Sequence, residues 1–268
     1  MSDLVAFDYE LKRWGSSRIE PRPSYVQGLK LRLLLDALRS IHGEVLDVGC
    51  GAGNIAQAIA ESRPDLRVHG VDISTRALEV ARHVAPELDF QMAPAESLPF
   101  ENGSMSAVVM LDVMEHLEDP AAALREIRRV LRPGGVFHIA LPLEAQPWTF
   151  YRQMTRLGWR AKLHHCGHIQ LFDERRFKAL AAAEGVPVKT TQWSFHWLYS
   201  LVDIGYFSFL ELRGPVAASV EDYLAGRRDL AGTILRAVKN SAATFGWYES
   251  RLLRRVPSGV GHFTCIRE

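Results

Sequence analysis

The spacing of apolar residues changes several times along the chain, and each change marks an element. Leu31, Leu34, Leu35 and Leu38 recur with a helical period, which predicts a helix within residues 24–40. The run Glu44-Val-Leu-Asp-Val-Gly is short, with Val45, Leu46 and Val48 apolar, and reads as a buried strand running into glycines. Residues 54–63 return to a helical pattern, which Pro64 stops. Val68–Ile73 reads as a second strand, Thr75–Val84 as a helix, and Leu88–Met92 and Ala107–Leu111 as a third and fourth strand. Asp119-Pro120 carries the signature of a helix start, an aspartate cap followed by proline in the first turn. Leu124, Ile127 and Leu131 give that helix one apolar face, and Pro133-Gly134-Gly135 is expected to end it before a fifth strand, Val136–Leu141.

Strands alternating with helices at this spacing imply βαβ units: an α/β fold with a doubly wound, mostly parallel seven-stranded sheet of Rossmann-like kind. Beyond Pro142 the rhythm is lost. Residues 143–172 read as loop-rich, Asp173–Glu184 as a helix stopped by Gly185, and Val186–Thr191 and Val260–Ile266 as the last strands. The stretch between those strands is far too long for a plain connection and reads as a helical insertion over the ligand face. Three regions result. Residues 1–42 are a helical segment covering the cleft; 43–192 with 258–268 form the sheet domain; 193–257 form an aromatic-rich cap.

Composition removes several classes. With 47% hydrophobic residues the chain is a folded globular protein, and a formal charge of +1 gives no global field for nucleic acid. Cys50, Cys166 and Cys265 show no paired spacing, which fits a reducing compartment. The first residues mix acids and bases without an apolar core, so no signal peptide is expected and a cytoplasmic location follows. Residues 193–212 are apolar but include His196, Asp203 and Glu211, a poor membrane span. Eight basic residues stand against four acids in 213–256, next to that aromatic run. Residues 193–256 could therefore rest on an anionic membrane, against the plainer reading of a solvated helical face. Nothing in the sequence signals an oligomeric state.

Gly49, Gly51 and Gly53 after the first strand let the backbone turn sharply beside a ligand. Residues 51–56 also satisfy the dinucleotide pattern G-x-G-x-x-A, so an NAD(P)-dependent oxidoreductase has to be weighed. Asp47, immediately before the turn, argues otherwise, because its carboxylate would repel a pyrophosphate and attract a cation. Asp72, closing the second strand, is placed to accept from ribose hydroxyls in either case.

Four blocks in order carry a resemblance: EVLDVGCGAGNIA (Glu44–Ala56), GVDIS (Gly70–Ser74), Ala95–Val113 with LPF at Leu98–Phe100, and DVMEHLEDPAAALREIRRVLRPGGVFHIALP (Asp112–Pro142). The chain resembles the class I S-adenosylmethionine-dependent methyltransferases, within them the type 11 group that includes ubiquinone and menaquinone methylases. The resemblance implies S-adenosyl-L-methionine as cofactor, held at its methionine end by Asp47, Gly49, Gly51 and Asn54, and at its ribose by Asp72 with Ile73 alongside. It implies Ala95 and Glu96 beside the adenine, with Leu111, Val113 and His116 along the cleft. Pro94 stands where the family has an acidic acceptor for the adenine amino group, so Glu96, a backbone carbonyl or stacking has to substitute.

Methyl transfer from a sulfonium needs chiefly an oriented nucleophile, and a base when the acceptor is a hydroxyl or an acidic carbon. The run His164-His165-Cys166-Gly167-His168 is the reservoir for one, and His168, His165 and Tyr151 are the candidate catalytic residues. His and Cys are also zinc ligands. Ligands this close in sequence rarely wrap one ion without a partner pair elsewhere, and no metal is expected. Tyr25, Trp148, Tyr151 and Trp197, with Tyr9 and Trp14 nearby, are expected to line the acceptor site; ordinary core packing is the competing reading. The function expected is methylation at O, N or C of a hydrophobic or aromatic small molecule. A lipid or quinone-precursor methylase at a membrane surface and a non-catalytic cofactor-binding scaffold remain as alternatives.

Overall fold

The computed structural model describes residues 19–21, 23, 27–213 and 229–268. Tyr9, Trp14 and Tyr25 lie outside the described residues, as does most of the expected segment 1–42. Its described part includes helix α1 (Gly28–Ala37), within the predicted 24–40. Then follow β1 (Gly43–Val48), α2 (Asn54–Ser62), β2 (Leu66–Asp72), α3 (Thr75–Val84), β3 (Asp89–Met92), β4 (Met105–Leu111), a 3-10 turn (Met114–His116), α4 (Pro120–Val130) and β5 (Leu131–Pro142). The second half holds α5 (Phe150–Arg156), α6 (Ala161–Cys166), α7 (Glu174–Ala183), β6 (Val188–Ser194), α8 (Trp197–Arg213), α9 (Leu230–Leu253) and β7 (Val260–Ile266).

The strands form one seven-stranded sheet in the order β3-β2-β1-β4-β5-β7-β6, with β7 antiparallel to both neighbours. Every residue of β4 except the last is buried, because helices cover both faces and each side of the pleat meets a core. Val108 and Met110 pack with Phe137, Ile127, Phe177 and Phe263 on one face. Ala107 and Val109 pack with Leu31, Leu34, Leu38, Ile59 and Leu78 on the other, where α1 and α2 lie.

Local chemistry sets the helix ends. Asp119 accepts from the Ala122 N–H with Pro120 in the first turn of α4, and Asp173 accepts from the Arg176 N–H at the start of α7. Two expectations are corrected and one is refined. β5 begins at Leu131, not Val136: Leu131 pairs with Met105, and the Pro133–Gly135 stretch is a bulge within the strand. Residues 143–172 are loop-rich as expected, with two short helices set into them: Thr149 caps α5 and Gly167 (φ 78°) closes α6, and both are too short to show a period. The insertion begins later than 193, because Trp193 and Ser194 pair with Gly261 and Val260 in the sheet.

Strand order reverses between β1 and β4, whose carboxyl ends lie side by side with Val48 opposite Met110. This switch point is where open α/β sheets bind ligands.

Candidate cofactor and acceptor site

The glycine turn fills the switch point. Gly49 has φ 73°, and a Cβ there would fall 2.3 Å from Val113 Cγ2, so both the turn and the packing exclude a side chain. Gly51 (φ 52°) and Gly53 (φ 79°) continue the turn into α2. Asp47 lies beneath it, 2% exposed, with no hydrogen-bond partner for Oδ2. Burial first and the charge of Asp72 second push its carboxyl up to about 7. A cation seated on the turn would supply what this carboxylate lacks. Asp72 accepts from the Gly51 N–H at 2.8 Å and from the Ser74 N–H at 2.9 Å. It therefore pins the turn from the end of β2.

The neighbouring residues divide by exposure. Ile73 is 52% exposed at the mouth of β2, an apolar platform beside Asp72. Asn54 and Ala95 are buried, so Ala95 can offer little more than its backbone, while Glu96 is half-buried. The Pro94 carbonyl accepts from the Ser97 N–H. Leu111 and Val113 are half-buried on the far wall, flanking Asp112, a non-glycine residue at φ 55°. Lys30 of α1, itself buried, forms an ion pair with Asp112. Helix α1 is thereby tied to the cleft, a contact that apolar periodicity does not reveal.

Next to this wall lies a buried polar network. His116 Nδ1 donates to the Gly167 carbonyl at 3.1 Å, and the rings of His116 and His168 meet edge to face, centroids 4.9 Å apart. His168 Nδ1 bonds Glu144 Oε1 at 2.7 Å. Lys162 lies 3.7 Å from Glu144 and 3.1 Å from Asp203, which accepts from the Tyr151 hydroxyl at 2.5 Å. Burial opposes the charged form of His168, but the Glu144 carboxylate, by charge and by hydrogen bond, lifts its pKa above the ordinary value. Burial and the approach of His168 push His116 down to about 4. A cavity of about 140 Å³ opens on this network, lined among others by Glu144, Lys162, His168, Thr155 and Trp159.

His116, His168 and Tyr151 are thus brought into one region. The others are not. His165 and His164 hold the two oxygens of Glu211 at 2.9 and 2.8 Å, on the side of α6 turned to α8. Trp148 is 93% exposed at φ 65°, and Trp197 is exposed on α8. Tyr151 is present but unsuited to act as a base: burial, and then the charge of Asp203, raise its pKa well above the ordinary tyrosine value. Sequence reading missed Glu144, Lys162, Asp203 and Lys30. Glu144 alone left a signal, a carboxylate two residues past β5 at the ligand-binding edge.

Comparison with known proteins adds to this geometry. A methyltransferase domain family matches residues 46–139. A ubiquinone biosynthesis O-methyltransferase of Alkalilimnicola ehrlichii is 33% identical over 140 residues, 50% of this chain and 56% of that protein. One of Methylocella silvestris is 29% identical over 191 residues, 69% of this chain and 68% of the relative. An O-methyltransferase of Pyrenophora dematioidea is 39% identical over 114 residues, 40% of this chain and 42% of that protein. The chain thus spans little more than half the length of the first of these relatives. Among solved structures, the YcgJ protein of Bacillus subtilis superposes with a TM-score of 0.56 at 18% identity, covering 91% of this chain and 98% of that one. The [4+2]-cyclase SpnF does so with 0.62 at 18% identity, covering 98% and 88%. These likenesses show the fold alone, and the cyclase shows that the fold does not by itself fix a reaction. Residues 46–139 thus match a methyltransferase domain family, and the similarity to S-adenosylmethionine-dependent methyltransferases of the type 11 group extends past that stretch.

Proposed function

We propose that this protein methylates a hydroxyl group on a small, largely apolar or aromatic acceptor, with S-adenosylmethionine as methyl donor. The observation that carries this reading is the pairing of the cation-seeking turn at Asp47 with the buried histidine–carboxylate network at the same end of the sheet. When bound, S-adenosylmethionine supplies an electrophilic methyl group on a sulfonium. Asp47, Gly49 and Gly51 would hold its cationic methionine end, Asp72 its ribose, and Ile73 the face of its adenine. Asp112 and Val113 close the opposite wall, with Lys30 fixing Asp112 in place. The polar end of the cavity, lined by His168 and Glu144, receives the acceptor hydroxyl. An amine acceptor would have little use for such a group, because its lone pair is already available. The relatives named as O-methyltransferases point the same way.

The test is transfer of labelled methyl from S-adenosylmethionine to a panel of phenols, catechols, amines and activated carbon acids. Label is expected in phenolic or catecholic oxygen. Label confined to amines or to carbon would overturn the hydroxyl assignment.

A second reading, action at a membrane surface, is favoured by the helices of the cap. Trp197, Leu198, Leu201 and Val202 on α8 are exposed, as are Phe245, Tyr248 and Leu252 on α9 at helical spacing. Arg251, Arg254 and Arg255 stand exposed beside the second stripe. Among the described residues no helix is long and apolar enough to cross a membrane. This surface would therefore rest on anionic lipid rather than span it. Co-sedimentation with vesicles containing phosphatidylserine, lost at high salt and in Phe245→Ser/Leu252→Ser, is expected. Equal recovery from neutral and anionic vesicles would remove this reading.

A further inference from the structure

A glutamate that the glycine turn does not use meets two histidines below the 112–118 segment. Glu115 is 1% exposed, and neither carboxyl oxygen has a hydrogen-bond partner. A group of this kind in a protein interior is costly unless something pairs with it. His168 Nε2 lies 3.8 Å and His116 Nε2 3.9 Å from Glu115 Oε1. One ligand atom from each of the three residues lies within 4.8 Å of the others.

The far side of each ring fixes its orientation. The Gly167 carbonyl can only accept, so His116 Nδ1 carries the hydrogen, and the ring's lone pair is on Nε2. The Glu144 carboxylate holds His168 Nδ1 in the same way. Each imidazole is braced through Nδ1 by an acceptor and turns Nε2 toward one buried carboxylate. Metal-binding histidines are held by this kind of outer contact. Two ligands each about 2.1 Å from one ion lie about 3–3.5 Å apart, so the two separations from Glu115 close with shifts of about half an ångström and the one between the imidazoles with at most about 1–2 Å.

We propose that Glu115, His116 and His168 bind one divalent first-row transition ion, Zn²⁺ or Mn²⁺, leaving coordination positions open for an acceptor oxygen. Two imidazoles with one carboxylate suit such ions; Ca²⁺ and Mg²⁺ favour an all-oxygen shell. The sequence offers no ligand pair inside the 164–168 run that would close a site. The structure supplies the pair from a different element, Glu115-His116 after β4. The ion's role, as distinct from its binding, rests on the hydroxyl-methylation reading. An acceptor hydroxyl coordinated to the ion ionises more readily: its O–H bond breaks, the electron pair stays on oxygen and the proton leaves to water. Glu144 acts as a positioning residue through His168.

The experiment strips the purified protein with a chelator and titrates it calorimetrically with ZnCl₂ and, separately, MnCl₂, without acceptor. S-adenosylhomocysteine is titrated in parallel. One ion per chain is expected. Glu115→Gln and His168→Ala should each weaken it at least tenfold, and Glu144→Gln by about 10–100-fold. The pair His164 and His165 with Glu211 is the natural competitor for zinc, so His164→Ala/His165→Ala should leave the stoichiometric site intact. Nitrogen couplings from two imidazoles in the spin-echo spectrum of Mn²⁺-loaded wild-type protein give a readout that needs no variant. No stoichiometric ion, no imidazole coupling, or a site lost in the His164/His165 variant but kept in Glu115→Gln would each overturn the proposal. Retained S-adenosylhomocysteine binding with no ion rejects the ion alone. A bound ion with methylation only at nitrogen or carbon rejects the hydroxyl reading and keeps the site.

Discussion

Replacing Asp47 with asparagine separates the stability of the empty turn from its affinity for a cation. The rise of this carboxyl from the ordinary 3.8 to about 7 corresponds to roughly 4 kcal/mol, at about 1.4 kcal/mol per pKa unit. The folded-state value is the raised one. The ligand-free protein therefore keeps its full stability below the ordinary carboxylate value and loses it as pH climbs toward 7, beyond which the loss levels off. Asparagine nearly matches the side chain in shape but cannot ionise. It gives up part of the interaction with the Ala56 backbone, a loss of about 1 kcal/mol. The ligand-free Asp47→Asn protein should thus be about 2–4 kcal/mol more stable than wild type at pH 8 and similar to it at pH 4. The gap should open between those limits. Urea unfolding across this range reads it directly. Calorimetry at pH 8 should meanwhile show S-adenosylmethionine binding weakened at least tenfold, because the cationic end has lost its counter-charge. A variant that is less stable than wild type at pH 8 and binds the cofactor normally would refute the reasoning on both counts.

Three further changes probe separate parts of the site. Asp72→Ala removes the acceptor for the Gly51 and Ser74 N–H groups as well as the ribose contact, so cofactor affinity should fall by about 10–100-fold, at about 1.4 kcal/mol per tenfold. Titration showing near-normal affinity would misplace the ribose. Gly49→Ala meets both φ 73° and the Val113 side chain; it should cost roughly 2–4 kcal/mol in thermal unfolding, and adding Val113→Ala should restore part of that. Lys30→Met leaves Asp112 without its cation and should cost about 1–3 kcal/mol, given that Asp112 is 31% exposed. In a double-mutant cycle Lys30→Met/Asp112→Asn should cost less than the two single changes summed, and strict additivity would show that the pair contributes nothing.

The part of the fold built from alternating strands and helices was legible because each element there buries a face and so repeats an apolar period. The cofactor half of the site was legible for a related reason. Asp47, the glycines and Asp72 are fixed by backbone geometry at consecutive strand ends, and that geometry demands particular residue types at particular steps. The acceptor half is assembled differently. His168, Glu144, Lys162, Asp203 and Tyr151 come from five separate segments, and they meet only because α5 and α6 both pack against α8. No local period records such a meeting, so the sequence offered His165 alongside His168. One of them faces Glu211 and the other Glu144. Trp148 and Trp197 stand exposed and apart from this network for the same reason: aromatic content suggests a binding wall, whereas exposure is set by tertiary packing.

The central claim is that the turn at Asp47 to Gly53 holds S-adenosylmethionine and not a dinucleotide. Calorimetric titration of one preparation with S-adenosylmethionine, S-adenosylhomocysteine, NAD⁺ and NADP⁺ tests it most directly. Stoichiometric binding of the first two, with no heat from the dinucleotides, is the predicted result. Saturable binding of NAD⁺ or NADP⁺, with neither sulfur compound retained, would contradict it.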